Sequence, residues 1–304
     1  MQLRTRFAPS PTGLLHVGNA YSALLCRQWA QENGAELLLR IEDIDHTRCR
    51  PQFIESILED LAWLGIEWPQ PVRIQSRHLE DYRSAIHRLR ELGVIYPCFC
   101  TRKSIRQEME RMALAPHAGD VAGLYPGICR DLSEGERAKR MEKYPFAWRL
   151  DIGKALAKVE LPLIWREADG TAQAALIDHD EVIGRKDISF SYHLSVVVDD
   201  AIQGITDIIR GEDLKAATGI HRLLQRLLEL PEPTYHHHRL LKTTSGERLA
   251  KRNSATTLAS LRGMGIAPEQ LRGFLLNQQQ PVWPFAEQDN NNNREKIVRL
   301  LGNS

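Results

Sequence analysis

Between Leu3 and Ile41 the chain alternates strand, turn, helix and strand, and that succession limits its fold more than any other feature. Leu3 to Pro9 is short and strand-like and runs into a Pro–Thr–Gly turn at Pro11 to Gly13. From Asn19 to Asn33 apolar residues recur at helical spacing (Tyr21, Leu24, Leu25, Trp29, Ala30), and Asn33–Gly34 supplies a stop. Glu36 to Ile41 is an apolar run of strand length, the kind that a parallel sheet buries on both faces. Helical patterns follow at Gln52 to Leu64 and at Leu79 to Leu92. A βαβ unit continued in this way predicts an α/β fold with a doubly wound parallel sheet.

The style changes from Tyr96 to Asp187. Loops lengthen, glycines cluster between Ala118 and Gly127, and the strands expected at Phe146 to Leu150 and Lys158 to Trp165 read as antiparallel. This segment reads as an α+β insertion, residues 97–187, in a sheet domain made of residues 1–96 and 188–242. The α/β pattern resumes at Ile205 to Arg210, followed by a long helix from Leu214 to Leu230. In residues 243–304 two short helical segments end near Leu276, and a Gln/Asn-rich tail from Gln278 is expected to be flexible, with one last turn at Glu295 to Leu301. Composition fits this plan. The 304 residues are 42% hydrophobic and 26% charged, which excludes a disordered or collagenous chain. Neither an apolar run of about 20 residues nor a leader is visible, so a soluble, cytoplasmic protein is expected. Lys plus Arg number 40 against 39 Asp plus Glu, a net charge of +1, which argues against a polyanion-coating protein but permits a local basic face.

Three separated pieces carry chemistry: Arg6–Phe7–Ala8–Pro9–Ser10–Pro11–Thr12–Gly13 with His16–Val17–Gly18–Asn19, then Arg40 to Asp45, then Arg210 to Asp213. A strand, a turn and a His-x-Gly at a helix entrance suit a phosphate. The helix start offers unpaired N–H groups and partial positive charge, and glycine lets a ligand approach the backbone. Five cysteines are present, with Cys98 and Cys100 paired as C-x-C and Cys129 farther on. Zinc takes four ligands, so spacing alone leaves open a metal centre completed from elsewhere or a set of small buried hydrophobes. Cys26 and Cys49 read as structural.

R-F-A-P-S-P-T-G-x-x-H-V-G followed by R-I-E-D-I-D resembles the glutamyl branch of the class I aminoacyl-tRNA synthetases. His16 to Asn19 stands at that family's H-I-G-H signature. Tyr192–His193–Leu194, Val197 to Asp200 and Gly204 to Asp213 match the same family in order, so the likeness spans Leu3 to Ala255. The resemblance implies a Rossmann-like catalytic domain. It implies that Arg6 and Arg210 bind the γ-carboxylate of L-glutamate, a planar anion suited to guanidinium forks. Ala8 and Ser10, within the run Phe7–Ala8–Pro9–Ser10, would contact the amino acid, Glu42 would hold its ammonium, and Tyr192 would close the pocket. His16, Gly18 and Asn19 would sit under ATP, with Leu240 and Leu241 beside the adenine. His236–His237–His238 invites a metal reading, but consecutive residues point in different directions, so the run reads as a wall of the nucleotide pocket.

The family's second signature, K-M-S-K-S, falls at Arg248–Leu249–Ala250–Lys251–Arg252. Lys251 keeps the cation that would neutralise charge on the transferring phosphate, and His16, Gly18 and Lys251 form the implied catalytic set. Arg248 replaces the first lysine, Ala250 the serine and Asn19 the last histidine of H-I-G-H. The C-x-C pair followed by Y-x-G-x-C-R at Tyr125 to Arg130 implies a zinc site of Cys98, Cys100, Tyr125 and Cys129. That element, with only residues 254–304 following Asn253, is similar to the short branch lacking an anticodon-binding domain, the glutamyl-queuosine tRNA(Asp) synthetases. The branch implies ATP with Mg2+, glutamate and queuosine-containing tRNA(Asp) as partners of a monomer. Alternatives are a short glutamyl-tRNA synthetase charging a 3′ end, or a non-catalytic glutamate- or RNA-binding paralogue.

Overall fold

The computed structural model describes residues 2–101, 103–105, 107, 125–187, 190–243, 246, 256–277, 282–285 and 296–301. Its parallel strands are β1 (Arg4–Phe7), β2 (Glu36–Ile41), β3 (Arg73–Ile74), β9 (Asp207–Gly211) and β10 (Thr234–His238). Arg4 pairs with Glu36 and Phe7 with Leu39, Arg40 pairs with Arg73, and Asp207 pairs with Thr234. β1 and β9 lie side by side, joined where Thr206 N–H donates to the Arg4 carbonyl at 3.0 Å. The order is therefore β3–β2–β1–β9–β10. The winding reverses between β1 and β9, the place where open α/β sheets bind ligands.

Helix α1 (Val17–Asn33) crosses from β1 to β2 and begins two residues earlier than periodicity indicates, because His16 itself caps it. Gly34 ends it at φ 60°, a left-handed conformation that glycine adopts without a Cβ clash. Its buried side includes Ala20, Ala23 and Cys26, residues small enough for the sheet to approach. The Cys26 thiol faces the carbonyls of Arg6 and Ile209 at 3.7 Å and bridges β1 and β9. Burial pushes that thiol up to about 12, so it is an inert structural group. Helices α2 (Pro51–Trp63) and α3 (Leu79–Glu91) follow where the spacing placed them.

β4 (Ile95–Cys98), β5 (Ala147–Leu150) and β8 (Val182–Gly184) form an antiparallel sheet, and β6 (Ile164–Arg166) and β7 (Ala172–Ala174) form an antiparallel pair. Between them lie α4 (Glu134–Met141) and α5 (Ile152–Leu156). The strand expected at Lys158 to Trp165 is reduced to β6 because Pro162 has no N–H for a ladder. α6 (Tyr192–Ile202) packs with α3 and α7 (Thr218–Leu227) over Leu150 and Ile183 in one core. The helix expected from Leu214 to Leu230 is instead a 3-10 turn at Glu212–Leu214 followed by α7.

The C-terminal stretch has the two short helices expected to end near Leu276 and the last helical turn, but parts of its tail are packed rather than free. α8 (Leu258–Gly263) and α9 (Pro268–Leu276) pack on the core of α1 and α2, and so do Trp283, Ile297 and Leu301, each nearly solvent-free. Residues 296–301 are helical. The tail is therefore anchored at these points; Asp289 to Asn293 lie outside the described residues. A few apolar side chains in a Gln/Asn-rich background suffice, because each buried large hydrophobe contributes about 1.5–3 kcal/mol. Among the described residues no helix is long and apolar enough to cross a membrane.

Candidate active site and cysteine cluster

A cavity of about 460 Å³ opens at the C-terminal ends of β1 and β9, within the size of small-molecule sites. It collects residues from five parts of the sequence. Arg6 and Phe7 end β1, Ala8, Pro9 and Ser10 form the loop beyond it, and Glu42 follows β2. Glu42 N–H donates to the Pro9 carbonyl at 3.1 Å, which holds the two strand ends together. Tyr192 opens α6, Arg210 lies in β9, and Leu240 and Leu241 follow β10. Arg248 and Lys251, with the rest of that signature, lie outside the described residues.

The entrance of α1 forms another wall, with His16, Gly18 and Asn19. The Gly18 N–H donates to His16 Nδ1 at 3.1 Å, so the neutral ring carries its proton on Nε2. A Cβ on Gly18 would lie 2.9 Å from His16 Cε1, so only glycine leaves the imidazole where it is. Asn19 Oδ1 accepts from the His16 N–H at 3.1 Å, completing a reciprocal cap, so the departure from H-I-G-H has a structural role here. Thr256 and Leu258 are pinned to the same entrance: Val17 N–H donates to the Thr256 carbonyl at 3.1 Å and Leu258 N–H to the Leu15 carbonyl at 2.9 Å. The segment following the second signature therefore meets the first.

Below the cavity lies a charge network that sequence reasoning missed. Arg40, with no exposed surface, donates to Asp200 at 2.8 Å and Glu42 at 3.1 Å and lies 3.7 Å from Asp199. Arg6 Nε donates to Asp200 at 3.0 Å. Asp199 also accepts from Arg73, Gln75 and Tyr82. Burial pushes Asp200 up, but Arg6 and Arg40 outweigh it and hold the carboxyl below its ordinary value. Glu42 moves the other way, raised by burial against the pull of Arg40. The V-V-D-D run was matched as a motif, but nothing local shows that its carboxylates anchor Arg6 and Arg40.

Arg210 is held differently. Its partners are His237, His221 and Thr218, and its guanidinium lies 5.0 Å from the Tyr235 ring centre. None of these is anionic, so its charge is directed at the cavity uncompensated by them. Burial, and next Arg210, keeps His221 well below the ordinary histidine value. The three consecutive histidines point different ways, and only part of the expected wall forms: His238 bonds Ser22 and lines the cavity, whereas His236 bonds Asp207, His237 bonds Arg210, and both line a second cavity.

Away from the cavity, the sulfurs of Cys98, Cys100 and Cys129 lie within 4.8 Å of one another and could hold a metal ion. The Tyr125 hydroxyl is 3.3 Å from Cys98 Sγ and 3.6 Å from Cys100 Sγ. Hydrogen bonds from Cys100 and Cys129 push the Cys98 thiol far down, and the same contacts push Cys100 up, so one thiolate is already favoured. Lys186 Nζ donates to the carbonyls of Phe99 and Cys100, and the Arg149 guanidinium covers the Tyr125 ring at 3.6 Å. Cys26 and Cys49 stand apart, Cys49 facing the Glu42 carbonyl.

A protein of Rhodobacter capsulatus called glutamyl-Q tRNA(Asp) synthetase is 43% identical over 89% of this chain and 99% of its own length. The protein of that name in Nitratidesulfovibrio vulgaris is 38% identical over 90% of this chain and 85% of its own. A glutamate–tRNA ligase of Synechococcus is 36% identical, but the chain spans only 57% of it. The crystal structure of a glutamate tRNA ligase from Elizabethkingia meningosepticum superposes with a TM-score of 0.75 at 26% identity, over 91% of this chain and 61% of that one. The family model for tRNA synthetases class I (E and Q), catalytic domain, matches residues 2–297. The chain therefore belongs to that family and is a ligase of the aminoacyl-tRNA synthetase type.

Proposed function

We propose that this ligase activates L-glutamate with ATP, without RNA, and transfers it to queuosine at the wobble position of tRNA(Asp). The observation that carries the reading is Arg210, a cation held by neutral partners at the edge of a cavity that also contains Arg6, Glu42 and the His16 helix entrance. Arg210 and Arg6 take the side-chain carboxylate as a fork, and Glu42 takes the ammonium. Ala8 and Ser10 line the amino acid, and Tyr192, whose phenol is kept protonated by burial and by Glu42, closes over it. Leu240 and Leu241 flank the adenine, while His16, Gly18 and Asn19 face the phosphates.

The glutamate α-carboxylate attacks the α-phosphorus in line, a carboxylate O–P bond forms, and pyrophosphate leaves with its Mg2+. His16 and Lys251 stabilise the charge that develops, and Arg248 adds a cation beside the nucleotide. A queuosine hydroxyl then attacks the activated carbonyl and releases AMP. The test is ATP–pyrophosphate exchange with glutamate, glutamine or aspartate, followed by transfer to tRNA(Asp) with and without queuosine. Glutamate alone is expected to support exchange, and only queuosine-containing tRNA is expected to accept it. Esterification of a terminal ribose on queuosine-free tRNA would replace this reading with that of a short glutamyl-tRNA synthetase, which the ligase relatives would suit.

The three thiols and the Tyr125 oxygen fit a structural zinc ion, a tetrahedral cation that favours sulfur. Bound there, it would tie the end of β4 to the Tyr125–Cys129 turn. The purified chain is expected to carry about one zinc, and Cys129→Ser to retain less than about a tenth of that. Tyr125→Phe is expected to hold zinc more weakly than the parent against a chelator. Full metal content in Cys129→Ser would reject this site.

A further inference from the structure

Arg210 is positioned by groups that belong to no signature, and their chemistry is informative. Nε–H donates to His237 Nε2 at 3.2 Å, Nη1 to His221 Nδ1 at 3.1 Å, and Nη2 to Thr218 Oγ1 at 2.7 Å. A guanidinium has five N–H groups, so these three bonds leave one on each Nη, the pair that a carboxylate accepts together. A guanidinium has no lone pair to offer, so each imidazole nitrogen facing it must accept. His237 therefore carries its proton on Nδ1, where the Glu167 carboxylate accepts it at 2.9 and 3.0 Å. His221 carries its proton on Nε2, facing His193 Nδ1 at 3.1 Å. Glu167 thus fixes the His237 tautomer that Arg210 needs.

We propose that His237 is the positioning residue for Arg210 and sets glutamate affinity as a protonation-dependent acceptor. Neutral, it fixes the guanidinium; protonated, it loses the accepting lone pair and places a like charge against Arg210. The proposal rests on the reading of Arg210 as the receptor for the substrate's side-chain carboxylate.

The surroundings favour the neutral ring at neutral pH. Burial lowers the His237 value, Glu167 opposes this, and Arg210 and Lys215 add to the lowering. The same His237 Nε2 also meets Thr218 Oγ1 at 3.3 Å, and the Tyr235 ring stacks on the imidazole at 5.9 Å. Its neighbour His236 faces Asp207, and His221 stands across the guanidinium. His237, Glu167 and Lys215 also line a second cavity of about 510 Å³, which gives water a route to the outer side of the ring while the first cavity is occupied. A folded value below the ordinary histidine range places the loss on the acid side of about pH 6.5. Free glutamate's own side chain titrates identically with every variant, so a variant whose acceptor does not titrate separates the two effects.

The experiment measures KM for glutamate and for ATP in pyrophosphate exchange with the full chain, from about pH 5.5 to about pH 8.5. In the parent chain, KM for glutamate is expected to rise toward acid while KM for ATP stays within about twofold. His237→Leu, which removes the acceptor, is expected to raise KM for glutamate about 10- to 100-fold even at alkaline pH, with KM for ATP little changed. His237→Gln supplies an acceptor that does not titrate; it is expected to recover most of the affinity lost in His237→Leu and to flatten the acid rise. An unchanged KM for glutamate in His237→Leu, or a parental acid rise in His237→Gln, overturns the proposal while leaving the glutamate reading intact. Absence of glutamate-dependent exchange in the parent chain overturns that reading and this proposal with it.

Discussion

An Arg210→Leu variant is expected to lose about three orders of magnitude in kcat/KM for glutamate in pyrophosphate exchange, since removing one partner of a desolvated charge pair costs about 2–5 kcal/mol. KM for ATP should change little, because Arg210 is not among the residues assigned to the nucleotide. Stability should fall by only about 1–3 kcal/mol, because the groups left behind, His221, His237 and Thr218, are neutral. Arg210→Lys keeps the charge but not the two-pronged geometry and should recover only part of the activity. Parental exchange in Arg210→Leu would remove the central element of the proposed site.

Arg40→Met should show the opposite profile. Arg40 is wholly buried and bonded to Asp200 and Glu42, so its loss strands carboxylates rather than neutral rings. Breaking a buried pair in this way costs about 3–5 kcal/mol, to be read from the urea unfolding midpoint at neutral pH. The sign of the pH dependence follows. Without Arg40 the Glu42 carboxyl, already raised by burial, rises further above its unfolded value. Such a group takes up a proton on folding, so the deficit should be largest at neutral pH and shrink as pH falls toward the folded value. A deficit that grew with acid, or an unchanged midpoint, would contradict the hub role. Exchange activity should fall as well, because Arg6 shares Asp200 with Arg40.

Features written in short-range patterns were legible in advance. The β1–α1–β2 unit, the glycine turn, the helix entrance at His16 and the divergence of the three histidines depend on neighbours a few residues apart, where periodicity and sterics act directly. Two errors arose where one local cue was overvalued. The average composition of the Gln/Asn-rich tail points to flexibility, and its last turn at Glu295 to Leu301 does form at 296–301, yet Trp283, Ile297 and Leu301 bury themselves in the core. The long helix expected after Arg210 is a 3-10 turn at Glu212–Leu214 followed by α7, whose first turn supplies Thr218 and His221 to Arg210.

The sequence by itself determined the type of fold, the positions of the two cavity-forming strand ends and the residue types around them. Only tertiary structure decided how each charge is answered: Arg40 is buried against Asp200, 160 residues away, Arg6 shares that carboxylate while lining the cavity, and Arg210 is answered by neutral groups. The reason is physical. Backbone preference and hydrophobic spacing are local properties of the chain, but the field at a guanidinium depends on every group within a few ångströms of it, and folding brings those groups from remote segments.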